Sequence, residues 1–231
     1  MLKEAELHIL KNNIWYSQLP ILFQDFITHH ATQVHIERDQ AVFHHGDAFD
    51  GIYAVLHGKI RLGYIDIEGN ESIAAIAEPI MWCGEISLID QQPRSHHAIA
   101  VEKSTILKIS NTAIEDLLHT HPQFWFHIAQ LSSQKLRLAF LELIAIQSQN
   151  ISQRLAQRLL FILNGYGNHV HIENHMIHLS QEQLAQMLMC SRQTINQELH
   201  QLEQQGILKI SFKKIEILNL PRLHTLAHAT M

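Results

Sequence analysis

The chain has 231 residues, 46% hydrophobic and 17% charged, a composition that suits one or two folded domains and excludes a disordered chain. It has no apolar run of membrane-spanning length, acids where a secretory leader would carry positive charge, and two cysteines, Cys83 and Cys190. These predict a cytoplasmic protein with no membrane partner and no iron–sulfur cluster. Residues 1–150 hold 10 Lys/Arg against 17 Asp/Glu and residues 151–231 hold 7 against 5, so a polyanion would favour the C-terminal third.

In chain order, residues 4–18 read as a helix closed near Leu19-Pro20. From about 33 to 110 come short β-type runs: 33–37, 41–43, 52–57, 59–65, 72–76, 97–101 and 105–109. Turn signals such as His45-Gly46-Asp47, His57-Gly58-Lys59 and Glu68-Gly69-Asn70 separate them, the pattern of an antiparallel barrel or roll. From about 122 to 149 the period becomes helical, with Phe124, Ile128, Leu131, Leu138 and Leu141 three, four or seven residues apart and Ile146 five beyond the last. A helix of that length between two domains suggests a seam with a second copy of itself; the alternative is a helix wrapped onto its own β domain. Gln147 to Asn150 reads as a hinge, and Asn150 as the N-cap of a helix from Ile151 to Leu163. Gly165 to Asn168 ends that helix, and short β segments follow near 169–172 and 176–179.

The strongest signal lies in residues 180–199. Ser180 and Gln183 form a capping box, and Leu184, Ala185 and Leu188 make a buried stripe. Cys190-Ser191 marks a turn, and Ser191 caps a second helix that buries Ile195, Leu199 and Leu202. Arg192, Gln193, Asn196 and Gln197 then face outward in its first turns, where Arg suits guanine and Gln or Asn suits adenine in the major groove. After Gly206, residues 207–217 alternate like a hairpin whose tip carries Lys213 and Lys214, placed for phosphate contact. The result is a winged helix-turn-helix. The alternative is an ordinary helical hairpin with a polar face.

On these residues, the Cys190-Ser191-Arg192-Gln193-Thr194 run above all, nearly the whole chain resembles the cyclic-AMP receptor protein/FNR family of bacterial regulators. The resemblance implies an α+β protein: a cyclic-nucleotide-binding-type β-roll (residues 1–121), a dimerisation helix and hinge (122–150) and a winged helix-turn-helix (151–231). It implies double-stranded DNA as partner, a homodimer on a near-palindromic operator, RNA polymerase as a further partner, and no enzymatic activity or catalytic residues. The DNA-facing set is Ser180, Gln181, Ser191, Arg192, Gln193, Thr194, Asn196, Gln197 and Lys213. Well-known members carry Glu and Arg where this chain has Gln193 and Gln197, which implies a different operator. Met189 stands where the turn usually has Gly, at a cost of about 1 kcal/mol if its φ is positive.

A second resemblance, over Gly84 to Ser95, is to the phosphate-binding cassette of cyclic-nucleotide domains. Backbone N–H groups after Gly84, the Arg94 guanidinium and the Ser95 hydroxyl suit a phosphate, and Glu85 suits a ribose hydroxyl. The resemblance implies cyclic AMP or cyclic GMP as effector. His96-His97 stand where small residues usually follow, and Ala139 and Phe140 fall where the family presents hydroxyls to adenine. The alternative is a vestigial cassette in which Arg94 pairs with an internal carboxylate such as Glu85. Nineteen histidines, with a dense group at His169, His171, His175 and His178, leave a metal- or haem-responsive regulator open. A cyclic-nucleotide-binding adaptor not acting on DNA is the remaining rival. No nucleophile elbow, P-loop or HExxH points to an enzyme.

Overall fold

The structure, a computed structural model, describes residues 2, 4–168 and 175–228. Three helices lead in: α1 (Glu4–Lys11), α2 (Ile14–Ser17) and α3 (Ile21–His30). The helix expected over 4–18 is broken at Asn12-Asn13, because the Asn13 side chain accepts from Tyr16 N and starts a new turn. The α3 helix was not expected. It begins on the residue after Pro20, which caps it at φ −55°, and it buries Phe23 and Ile27.

Eight strands follow: β1 (Thr32–Ile36), β2 (Ala41–Phe43), β3 (Gly51–His57), β4 (Ile60–Ile65), β5 (Glu71–Ala77), β6 (Trp82–Cys83), β7 (His97–Ala100) and β8 (Ser104–Ser110). The short helix α4 (Glu85–Asp90) interrupts them. They form two antiparallel four-stranded sheets, ordered β1-β8-β3-β6 and β2-β7-β4-β5, which make the expected roll. The first six residues of β3 are all buried, as a strand hydrogen-bonded on both edges and covered on both faces must be.

After α5 (Asn111–Thr120) and a 3-10 turn at Pro122–Phe124, the long helix α6 runs from Trp125 to Ser148. Its apolar residues divide between two faces. Phe124, Ile128 and Leu131 are buried among Trp15, Phe23 and the roll, with Phe23 stacked on Phe124 at 5.0 Å and Trp15 Nε1 donating to the His127 carbonyl at 2.6 Å. These three residues therefore belong to the protein's own core, which corrects their expected place in a seam. A second face is open: Phe126, Ala129, Ser133, Leu136, Phe140, Leu143 and Gln147, at alternating steps of three and four, are all exposed.

The C-terminal region comprises α7 (Ile151–Leu163), a 3-10 turn at Gly165–Gly167, β9 (Met176–Ile177), α8 (Gln181–Leu188), α9 (Arg192–Gln204), the wing strands β10 (Leu208–Ser211) and β11 (Lys214–Ile217), and α10 (Leu220–Ala227). Asn150 and Gln153 form a capping box at the start of α7. The segment expected near 169–172 lies outside the described residues. One buried apolar cluster runs without a break from the roll (Phe43, Leu62, Ile76) through α7 into α8 and α9. Among the described residues, no helix is long and apolar enough to cross a membrane.

Candidate nucleic-acid interface and sensor cassette

Local chemistry sets the geometry of the reading head. The Ser180 hydroxyl accepts from Gln183 N at 3.1 Å, while Gln183 Oε1 accepts from Ser180 N at 2.9 Å. The Ser191 hydroxyl accepts from Thr194 N at 3.0 Å and caps α9. The turn between the helices is closed by Cys190 N donating to the Ala185 carbonyl at 3.1 Å, with Met189 left-handed at φ 53°, ψ 47°. Ile195, Leu199 and Leu202 are 0–1% exposed, so the opposite face of α9 is fixed outward.

The expected DNA-facing residues fall on two surfaces. Arg192, Gln193 and Gln197 are exposed and share a shallow concavity with Gln181 and Asn196. Asn196 is half-buried and its Nδ2 donates to Gln181 Oε1 at 3.0 Å, which ties α9 to α8. Thr194 is half-buried against the Ser191 hydroxyl, 2.8 Å away. Ser180 and Lys213 instead line a cleft of about 470 Å³ with Gln183, Phe212 and Lys214, whose other wall is Arg38, Asp39, Lys59 and Arg61 of the roll. Phe212 was not anticipated. It stands 86% exposed at the wing tip with Lys213 Nζ 5.5 Å from its ring centre, and an aromatic among lysines in a hairpin turn was a signal available in the sequence.

In the cassette, Gly84, Glu85, Arg94 and Ser95 do converge, but each of the three polar side chains has at least one internal partner. The Arg94 side chain is 1% exposed. It donates from Nη2 to Asp50 Oδ1 at 2.6 Å and the Gly51 carbonyl at 2.7 Å, and from Nη1 to the Gly84 carbonyl at 3.2 Å. The rings of Phe43, Phe49 and Tyr53 surround its guanidinium at 4.4, 4.9 and 5.5 Å. The internal carboxylate is thus Asp50, not Glu85. Burial pushes the Asp50 carboxyl up, but hydrogen bonds from Lys108, Tyr53 and Arg94 outweigh it and hold the group below the usual range. Glu85, 1% exposed, accepts from Lys135 Nζ of α6 at 2.8 Å. Gly84 is left-handed at φ 100°, and a Cβ there would lie 2.9 Å from Arg94 Nη1, so a side chain at this position would be strained and would displace the guanidinium. Ser95 Oγ contacts His96 Nδ1 at 2.9 Å. A cyclic phosphate would need the guanidinium edge and that hydroxyl; as it stands, the cassette does not fit one.

Of the dense histidine group, His169 and His171 lie outside the described residues, and His175 and His178 are exposed. Elsewhere, His44 Nδ1 and His97 Nδ1 are 3.3 Å apart and His45 N donates to His97 Nδ1 at 3.2 Å. Among the described residues, no three His, Cys, Asp or Glu side chains are arranged to hold a metal. Cys83 is buried, which pushes its thiol up to about 11 and keeps it protonated.

A roll, a long helix and a winged helix-turn-helix with an outward polar face are the parts of a DNA-binding transcription regulator. Residues 33–121 match the cyclic nucleotide-binding domain family, and residues 153–226 match the Crp-like helix-turn-helix domain family. The cyclic AMP receptor protein of Thermus thermophilus is 30% identical over 187 residues, 80% of this chain and 83% of that one. A CRP-like cAMP-activated global transcriptional regulator of Mycobacterium tuberculosis is 24% identical over 198 residues, 85% of this chain and 88% of that one. Among solved structures, FixK2 from Bradyrhizobium japonicum shares the fold, with a TM-score of 0.76 and 21% identity over 87% of this chain and 99% of that one. The chain belongs to the CRP/FNR family of transcription regulators. The relatives found are regulators, not enzymes.

Proposed function

We propose that this regulator reads a near-palindromic DNA operator as a homodimer, with Arg192, Gln193 and Gln197 of each copy directed to base edges. Gln181 and the Asn196 it holds would frame that contact, Ser191 and Thr194 would fix the start of the reading helix, and Ser180 and Lys213 would meet phosphates. The observation that carries the reading is the outward set on α9, held in place by an inner stripe with no freedom to rotate. The open face from Phe126 to Gln147 supports the dimer: its alternating steps are those of a two-stranded coiled coil. Such a pair places two reading heads on successive major grooves, about one helical turn apart.

We read residues 1–121 as the sensor, 122–150 as dimer helix and hinge, and 151–231 as the reading head. The Lys135–Glu85 pair joins α6 to the cassette helix and would carry a change in the sensor to the seam. We take RNA polymerase as the partner through which it acts and the cytoplasm as its location, readings that its regulator relatives support. That its relatives are transcription regulators supports a non-enzyme. The test is electrophoretic shift against selected operator fragments. Arg192→Ala with Gln197→Ala should abolish sequence preference while leaving weak general DNA binding; a double variant that keeps its preference would refute the assignment.

A further inference from the structure

Three buried polar atoms in and beside the cassette have no hydrogen-bond partner among the described residues: Arg94 Nε, Glu85 Oε1 and His96 Nε2. A buried donor or acceptor left unpaired is unfavourable, so their grouping requires an explanation. One is the Nε donor of the Arg94 guanidinium, a group suited to phosphate, and one is an acceptor on a carboxylate suited to a sugar hydroxyl. The ring of His96 stands among them. Its Nδ1 is 2.9 Å from the Ser95 hydroxyl, and it meets Phe43 edge-on at 5.6 Å, the same Phe43 that covers the Arg94 guanidinium at 4.4 Å.

We propose that His96 is the specificity-determining residue of the cassette: its imidazole engages the exposed Ser95 hydroxyl, stands in the approach to buried Arg94, and keeps 3′,5′-cyclic nucleotides out of a site whose other groups remain in place. Gly84 still has the left-handed turn that lets Arg94 lie against it, and Glu85 still has a free oxygen. His96 is neutral over the physiological range. Desolvation, with the nearby charges of Lys135 and Arg94, lowers its pKa to about 4 against the opposing pull of Glu85. A neutral ring can stand among two cations without repulsion, yet it brings no negative charge to take a phosphate's place. With a smaller residue at 96, a cyclic nucleotide could offer an oxygen to Arg94 Nε and to the released Ser95 hydroxyl, and a ribose hydroxyl to Glu85 Oε1.

The experiment is calorimetric titration of the full chain with cyclic AMP and with cyclic GMP, comparing wild type, His96→Ala and His96→Ser. Circular dichroism melts show which variants are folded; serine serves where alanine does not fold. At least one nucleotide should bind a folded variant about tenfold or more tighter than wild type, equivalent to about 1.4 kcal/mol. Adding Glu85→Gln should weaken the gained binding. Wild type binding as tightly as the variants would overturn the proposal, and so would folded variants that bind neither nucleotide. Operator binding by the wild type is measured separately, so a failure of the DNA-reading assignment and a failure here are distinguishable.

Discussion

Arg158 of α7 donates to the carboxylate of Glu142 on the long helix, and the same guanidinium reaches the Ala74 carbonyl of β5 at 2.9 Å and the Met187 carbonyl of α8 at 3.4 Å. This one residue, 5% exposed, thereby holds the β-roll, the long helix and the first helix of the helix-turn-helix together. Removing one partner of a buried pair leaves the other without compensation. Arg158→Met should therefore destabilise the protein by about 3 kcal/mol in urea denaturation, whereas Glu142→Gln, which keeps an acceptor, should cost about 1 kcal/mol. Equal losses in the two variants would show that Arg158 needs the charge on Glu142 and that an acceptor alone does not serve.

On DNA, Arg192 and Lys213 should fail differently. Arg192→Ala should cost about 1–3 kcal/mol and relax discrimination at one position of each half-site. Lys213→Ala should weaken binding to all sequences alike and lower the salt dependence of log K by about one unit. Filter binding across a salt series on matched and mutated operators separates the two.

Replacing Leu136 and Phe140 with Glu puts charges on the open face of α6, where both residues are 57% exposed in the single chain. Sedimentation should report a folded monomer, with operator affinity falling toward that of one half-site. A dimer that survives both substitutions would place the interface on another surface.

Met189 is left-handed without being glycine and is 76% exposed, so little packing depends on its side chain. The conformation costs an ordinary residue about 1–2 kcal/mol, and Asn tolerates it better without glycine's added chain entropy. Met189→Asn should raise stability by about 0.5–1 kcal/mol, read as a higher melting temperature with DNA binding retained.

His96 supplies a pH dependence. Its folded pKa, about 4, lies below the ordinary value of 6.5, so acid protonates the unfolded chain first. Stability is then complete above about pH 6.5 and declines as pH falls toward 4, by an amount on the order of 2–3 kcal/mol. In His96→Ala this part of the acid slope should vanish; an unchanged slope between pH 6.5 and 4 would show that other groups carry it.

What could be read in the sequence followed the range of the forces involved. Caps at Ser180, Ser191 and Asn150 and the inner stripes of α8 and α9 depend on neighbours within a few residues, and the structure has them where expected. The left-handed turn at Met189 followed from an absent glycine. Long-range choices were hidden. Apolar period shows that α6 buries a face, but two apolar faces share that helix, and nothing local says that Phe124, Ile128 and Leu131 meet Phe23 and not a second copy. The partner of Arg94 lies 44 residues away, and any of several carboxylates could have been chosen. The three-way contact of Arg158 joins segments that only the folded chain brings together.

The unbroken cluster of buried side chains from Phe43 to Leu202 has a further consequence. A regulator assembled as beads on a string could lose its sensor to mutation and keep a working reading head. Here β5 is a shelf on which α7 and α8 rest, so a cavity opened beneath Ile76 would loosen the head from below. A substitution that disturbs the packing of the roll beneath α8 should therefore be felt in the helix-turn-helix as well.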